Sequence, residues 1–136
     1  MGEVLIEKFM ERTWFDFQRL DIYCKSQNYY ICNRKLLAQL KPPLYVQDQL
    51  SRASHSVVLN IAEGFGRISA SDRRHFFIIA RASLFESVAC LDLMKLEQRL
   101  SEEIYISIMD SAARLSKMLY LLIKSLTPSN PKNNVW

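Results

Sequence analysis

Residues 60–72, NIAEGFGRISASD, place two of the chain's three glycines one residue apart, between Glu63 and Arg67. Such a stretch is either a loop that cradles phosphate or the corner between two helices. A Walker loop ends in Gly-Lys-Ser/Thr, and a dinucleotide fingerprint needs a strand before its first glycine. Neither context is present. No lysine follows the glycines, and upstream Val46, Leu50, Ala53, Val57 and Ile61 step by 4, 3, 4 and 4, the spacing of one buried helical face. The stretch therefore reads as a corner. Gly64 ends the incoming helix in a left-handed conformation, Phe65 plugs the end of the bundle, and Ser69, with Asp72 three residues on, caps the outgoing helix. The free amides at the start of that helix, beside Arg67, Arg73 and Arg74, suit one backbone phosphate; a tight turn with a solvated Arg67 is the alternative.

Outward from the corner the pattern is helical throughout. Leu20, Tyr23, Cys24, Ile31, Leu36 and Leu40 predict a first helix over residues 18–40, stopped by Pro42-Pro43, whose rings clash with a continuing turn. A second helix follows over residues 45–63. The third carries Phe76, Ile79, Ala80, Ser83, Leu84, Leu91 and Met94 and runs to about residue 98. Ser101, followed by Glu102 and Glu103, caps a fourth with Ile104, Ile108, Leu115, Leu119, Leu122 and Leu126 on its stripe, ended by Thr127-Pro128. The expected organisation is an N-terminal extension or short helix over residues 1–16, an all-α four-helix domain over 17–127, and a polar tail over 128–136.

A chain of 136 residues holds one core, and 3 Gly with 4 Pro are too few for a loop-rich all-β domain. No apolar run reaches the roughly 18 residues of a membrane span, and charges interrupt the N-terminal MGEVLIEKFMERTW, unlike a signal peptide. The expectation is a cytoplasmic protein without a membrane partner. Cys24, Cys32 and Cys90 form no Cys-x-x-Cys pair and read as reduced thiols packed like small hydrophobes. His55 and His75 lie within helices, away from any serine or cysteine motif, and no ligand spacing links them to the cysteines. No catalytic triad, metal site or cofactor is expected. The net charge of +4 is uneven: residues 25–81 hold nine bases against three acids, so the middle alone is +6. Such a segment is a polyanion footprint or a solvated surface.

A polar line runs beside the apolar stripe of the second helix, with Arg52, Ser56, Asn60 and Glu63 at spacings of 4, 4 and 3, and Ser83 and Glu86 face it from the third. Antiparallel folding about residues 67–69 pairs positions whose numbers add to 134–138, which brings Arg52 toward Glu86 for a bidentate ion pair. The structural reading is a buried polar seam that fixes helix register; the other reading is catalytic. Helical ribonucleases of the HEPN kind resemble the chain in size and helix content, but their histidine follows an arginine by four to six residues, and here seven residues separate Arg67 from His75.

Arg52-Ala53, Ser56-Val57, NIAEGFGR, Ser69, Asp72, Phe76, IIARASLFE and Leu91 together resemble the core motif of the bacterial four-helix bundle proteins encoded in intervening sequences of large-subunit ribosomal RNA genes. Phe17, Leu20, Ile22, Tyr23 and Lys25 are similar to that family's opening helix, so the resemblance spans roughly residues 17–126. The chain departs from the family in three places: Val58 stands where many members have proline, Ala82 replaces a glycine, and the connection over residues 43–49 is short. The resemblance implies an antiparallel up-down-up-down bundle and a homopentameric ring. A related branch, the accessory proteins of diversity-generating retroelements, implies a basic barrel that binds nucleic acid and a reverse transcriptase. No catalytic residues carry over. The expected function is a non-enzymatic oligomer that contacts RNA or DNA backbone through Arg34, Lys35, Lys41, Arg67, Arg73 and Arg74, with Arg52 and Arg81 set apart as structural; the alternative is a scaffold for a partner enzyme, with no nucleic acid.

Overall fold

The computed structural model describes residues 13–129. A 3-10 turn, Asp16–Arg19, leads into α1 (Asp21–Leu40), α2 (Leu44–Gly66), α3 (Ala70–Leu96) and α4 (Glu102–Ser125). Residues 1–12 of the expected extension, and residues 130–136 of the expected tail, lie outside the described residues. The opening helix begins at Asp21, later than its periodicity indicates, because the Gln18 Oε1 accepts from the backbone N–H groups of Trp14 and Phe15 at 2.9 Å each and closes a separate turn.

The buried face of α1 is Ile22, Ser26, Tyr29, Asn33, Leu36 and Leu37. Leu20 and Cys24, expected on it, are an exposed capping residue and a half-buried thiol. The true stripe steps by 4, 3, 4 and 3, and serine and asparagine at two of its positions hide it from a hydrophobicity count. Lys41 then turns the chain with a left-handed φ of 46°, and Pro42-Pro43 fixes the entry to α2.

The α2 stripe is as its spacing predicts: Leu50, Ala53, Val57 and Ile61 are buried and Val46 is half-buried. Gly64 is not the left-handed cap that the sequence reading made it. It lies inside α2, which runs on to Gly66, and no glycine in the described residues has positive φ. Packing explains the residue: a Cβ on Gly64 would sit 2.5 Å from the Phe77 Cε1. The glycine lets the wholly buried Phe77 of α3 press against the α2 backbone, and Phe65 tilts onto the same ring at 4.9 Å between centroids.

The Ser69 Oγ accepts from the Asp72 N–H at 3.1 Å and the Ser101 Oγ from the Ile104 N–H at 3.2 Å, so both expected caps are in place. Phe77, Ala80, Leu84, Leu91 and Met94 of α3 meet Ile108, Ala112, Leu115 and Leu119 of α4 in one core. At its far end α3 closes in a Schellman turn, with the Gln98 N–H bonded to the Lys95 carbonyl, the Arg99 N–H to the Met94 carbonyl, and Gln98 at a φ of 60°. Each helix packs on its chain neighbours and α4 closes back on α1, α2–α3 being the most extensive seam and α1–α4 the loosest. The bundle is therefore roughly square, with α1 and α3 at opposite corners. Across that diagonal the Tyr29 Oη and Ser87 Oγ lie 2.6 Å apart, and burial pushes the Tyr29 phenol up, partly offset by this bond.

Candidate nucleic-acid interface

The six candidate bases do not form one patch. Lys41 sits at the α1–α2 reversal, and the Arg34 guanidinium reaches across to donate to the Ser51 Oγ at 3.0 Å. Lys35 is exposed on the same helix. Arg67, Arg73 and Arg74 are at the α2–α3 corner, the other end of the bundle. The 23 residues of α2 rise roughly 1.5 Å each, which separates the two groups by roughly 25–35 Å.

At the corner two of the three arginines have internal work. The Arg67 Nη2 is 2.7 Å from the Glu63 Oε1, its guanidinium carbon lies 4.5 Å over the Phe76 ring, and its carbonyl accepts from the Arg73 Nε at 2.6 Å. Arg67 is exposed, as the tight-turn alternative has it, but its guanidinium is engaged and meets a phosphate only by exchanging Glu63. Among the described residues it is the one candidate base matched to a carboxylate; Arg34, Lys35, Lys41, Arg73 and Arg74 have no ion-pair partner.

The polar seam is real but its membership differs. The Ser56 Oγ and Ser83 Oγ are 2.8 Å apart, and the Asn60 Nδ2 donates to the Ser56 carbonyl at 2.9 Å and to the Ser56 Oγ at 3.0 Å. The expected Arg52–Glu86 pair does not form: Arg52 is exposed and bonds Asp48 on its own helix at 3.0 Å, Glu86 is exposed, and Glu63 turns out to Arg67. Observed α2–α3 partners have numbers adding to 139–141, so the antiparallel register is close to the expected one. The heights of Arg52 and Glu86 match, but both stand on outer flanks, where water solvates each charge better than a stretched ion pair does.

Arg81 is structural in the way expected of it, through contacts the sequence does not spell out. Its guanidinium carbon is 4.5 Å from the Phe85 centroid and 5.7 Å from that of Tyr120, which links α3 to α4. Nearby, the Tyr105 Oη donates to the Asp92 Oδ1 at 2.7 Å, a bond that raises its phenol pKa. None of the three cysteines is in a disulfide; Cys32 is exposed rather than packed, while Cys24 and Cys90 are half-buried. Both histidines lie on exposed helix surface beside an aromatic ring, Tyr30 for His55 and Phe76 for His75. Among the described residues no three His, Cys, Asp or Glu side chains converge as metal ligands, and no helix is long and apolar enough to cross a membrane.

One feature lay outside the sequence reading. Ile78, Ala82, Phe85, Ala89, Leu93 and Leu96 occupy the outward side of α3, and all six are exposed, Leu93 at 60% and Leu96 at 76%. They step by 4, 3, 4, 4 and 3, an apolar stripe with no helix of the described residues against it. The signal was legible as a second period on α3, offset from the core stripe.

The class defined by these features is a small antiparallel all-α bundle that presents surfaces, apolar on α3 and basic elsewhere. Residues 18–121 match the sequence profile of the 23S rRNA-intervening sequence protein family, about three quarters of the chain, and the chain belongs to that family. The fold is shared by a crystal structure, at 1.70 Å resolution, of a protein with unknown function from the S23 ribosomal protein family of Bacteroides thetaiotaomicron. The two superpose with a TM-score of 0.71 over 76% of this chain and 98% of the other, at 24% identity. No curated protein matches the chain.

Proposed function

We propose that this protein is a non-enzymatic, cytoplasmic, self-associating bundle that binds RNA or DNA through phosphate contacts of low sequence preference. The observation that carries the reading is the absence of ion-pair partners, among the described residues, for five of the six candidate bases: Arg34, Lys35, Lys41, Arg73 and Arg74. Cations left unmatched on a folded surface are available to displace the counterions of a polyanion. Self-association draws on the α3 stripe, because a contiguous exposed apolar face on a soluble domain marks an interaction surface. A homopentameric ring, which the family resemblance implies, would gather five copies of a +4 chain, +20 in all.

Two measurements test the reading. Mass in solution is expected to exceed that of a 15.9 kDa chain and to fall to it in Ala82→Arg/Ala89→Arg, which sets charge into the stripe without touching the core. Binding to RNA and DNA is expected at low salt and to weaken steeply as salt rises; no binding, or binding indifferent to salt, sinks the proposal. The α3 stripe also favours a second reading, a scaffold that docks a partner enzyme such as a reverse transcriptase, and recovery of one protein after nuclease treatment would select it.

A further inference from the structure

The loosest seam of the bundle opens into a groove of about 500 Å³ between α1 and α4. One wall is a single line of α1 side chains, Lys25, Asn28, Cys32 and Lys35, at spacings of 3, 4 and 3. The other is α4, with Ser107, Ser111 and Arg114. Tyr29 and Ile108, both buried, form the floor. Cations therefore stand near both ends of the recess and neutral donors lie between them.

We propose that this groove is the track for one nucleic-acid strand, held by Lys25, Lys35 and Arg114 on its phosphates and by Asn28, Ser107 and Ser111 on its remaining backbone oxygens. The assignment rests on the nucleic-acid reading above and locates it. Ten residues of α1, from Lys25 to Lys35, give a track roughly 15 Å long. The sole acid in the lining is Asp110, 3.1 Å from Arg114, and Lys25 is likewise paired to Asp21 at 2.7 Å outside the groove. Both pairs are exposed partners on one helix, of the kind that contributes little and yields to a phosphate. Lys35 has no pair to exchange.

Lys25 and Arg114 were not among the candidate contacts, and the corner arginines Arg67, Arg73 and Arg74 are on different helices, so the two locations separate cleanly. The probe is a 20-nucleotide oligouridine on the full chain, with circular dichroism confirming that each variant folds. Lys25→Gln/Lys35→Gln/Arg114→Gln is expected to weaken binding at least tenfold near 50 mM salt and to flatten the log–log salt slope by about 2, at roughly 0.7 per lost phosphate contact. Arg67→Gln/Arg73→Gln/Arg74→Gln, which removes the same charge away from the groove, is expected to weaken binding clearly less than the groove variant does. The reverse pattern overturns the groove and leaves the nucleic-acid reading standing; failure of the wild type to bind removes both. A second readout needs no substitution. Cys32 is an exposed thiol on the groove wall, and saturating oligouridine is expected to slow its alkylation by iodoacetamide several-fold, while the half-buried Cys24 and Cys90 serve as internal references. Unchanged Cys32 labelling at saturation overturns the assignment.

Discussion

Replacing Gly64 by alanine sets two known effects against each other. Inside a helix, alanine is favoured over glycine by about 1 kcal/mol, so propensity alone predicts a more stable protein. The added methyl would lie 2.5 Å from the Phe77 Cε1 and 2.9 Å from two further ring atoms, well inside the ~3.5–4 Å of carbon contact. Phe77 is completely buried and Phe65 leans on it, so the ring has no open space into which to retreat. Overpacking of a closed core costs about 1–3 kcal/mol and outweighs the propensity gain. The expected net effect of Gly64→Ala is a loss of up to about 2 kcal/mol, at a fall in Tm of roughly 4 °C per kcal/mol. Gly66→Ala supplies the contrast, because nothing lies within 4 Å of its added Cβ, and it should be neutral or slightly stabilising. Chemical denaturation followed by circular dichroism reads both. Gly64→Ala/Phe77→Leu should lose less than the sum of its parts, by about 1 kcal/mol of coupling. If Gly64→Ala is as stable as wild type or more so, the close-approach reasoning is wrong.

Arg52→Met and Glu86→Leu should each change stability by less than about 0.5 kcal/mol and combine additively, since the two side chains are exposed and unpaired with each other; a coupling above about 1 kcal/mol in a double-mutant cycle would restore the cross-helix ion pair. Ser56→Ala removes the bond to Ser83 and one of the two made by Asn60, and a loss of about 1 kcal/mol is expected in the same assay. Stability should fall as pH rises above about 10, the ordinary phenol value. The raised pKa of Tyr29, caused first by burial, keeps the folded state protonated where the unfolded chain has lost its proton, so alkali favours unfolding; Cys90, also raised by burial, acts in the same direction from about pH 9. A Tyr29→Phe variant should show a shallower alkaline limb, and an unchanged limb would remove Tyr29 from the explanation.

What the sequence disclosed followed from how local each signal is. The stripe of α2, the caps at Ser69 and Ser101 and the stop at Pro42-Pro43 depend on residues within a turn or two, and all appear where the spacing puts them. The face of α1 was missed because Ser26 and Asn33 are buried polar residues at positions a hydrophobicity count expects to be apolar. Gly64 was misassigned because its reason for being glycine lies on another helix, in the Phe77 ring, and no local rule reports a neighbour's shape. For Arg52 and Glu86 the height was nearly right and the azimuth was not: numbers that add correctly fix position along a bundle, while the side chain's direction around the helix decides whether two charges meet. The candidate bases were legible as a charged segment, but helical geometry divides a segment that is continuous in sequence between opposite ends.

Both chain reversals at one end of the bundle rely on side-chain-bearing residues in left-handed backbone, Lys41 and Gln98, while the glycine-rich corner at the other end uses none. A left-handed residue with a Cβ is held there at a cost of about 1 kcal/mol or more. That end therefore carries an untapped margin for thermal hardening. Gln98→Gly would release a few tenths to about 1 kcal/mol there, after the entropy glycine adds to the unfolded chain, and would leave the α3 stripe, the α1 wall and every cation as they are.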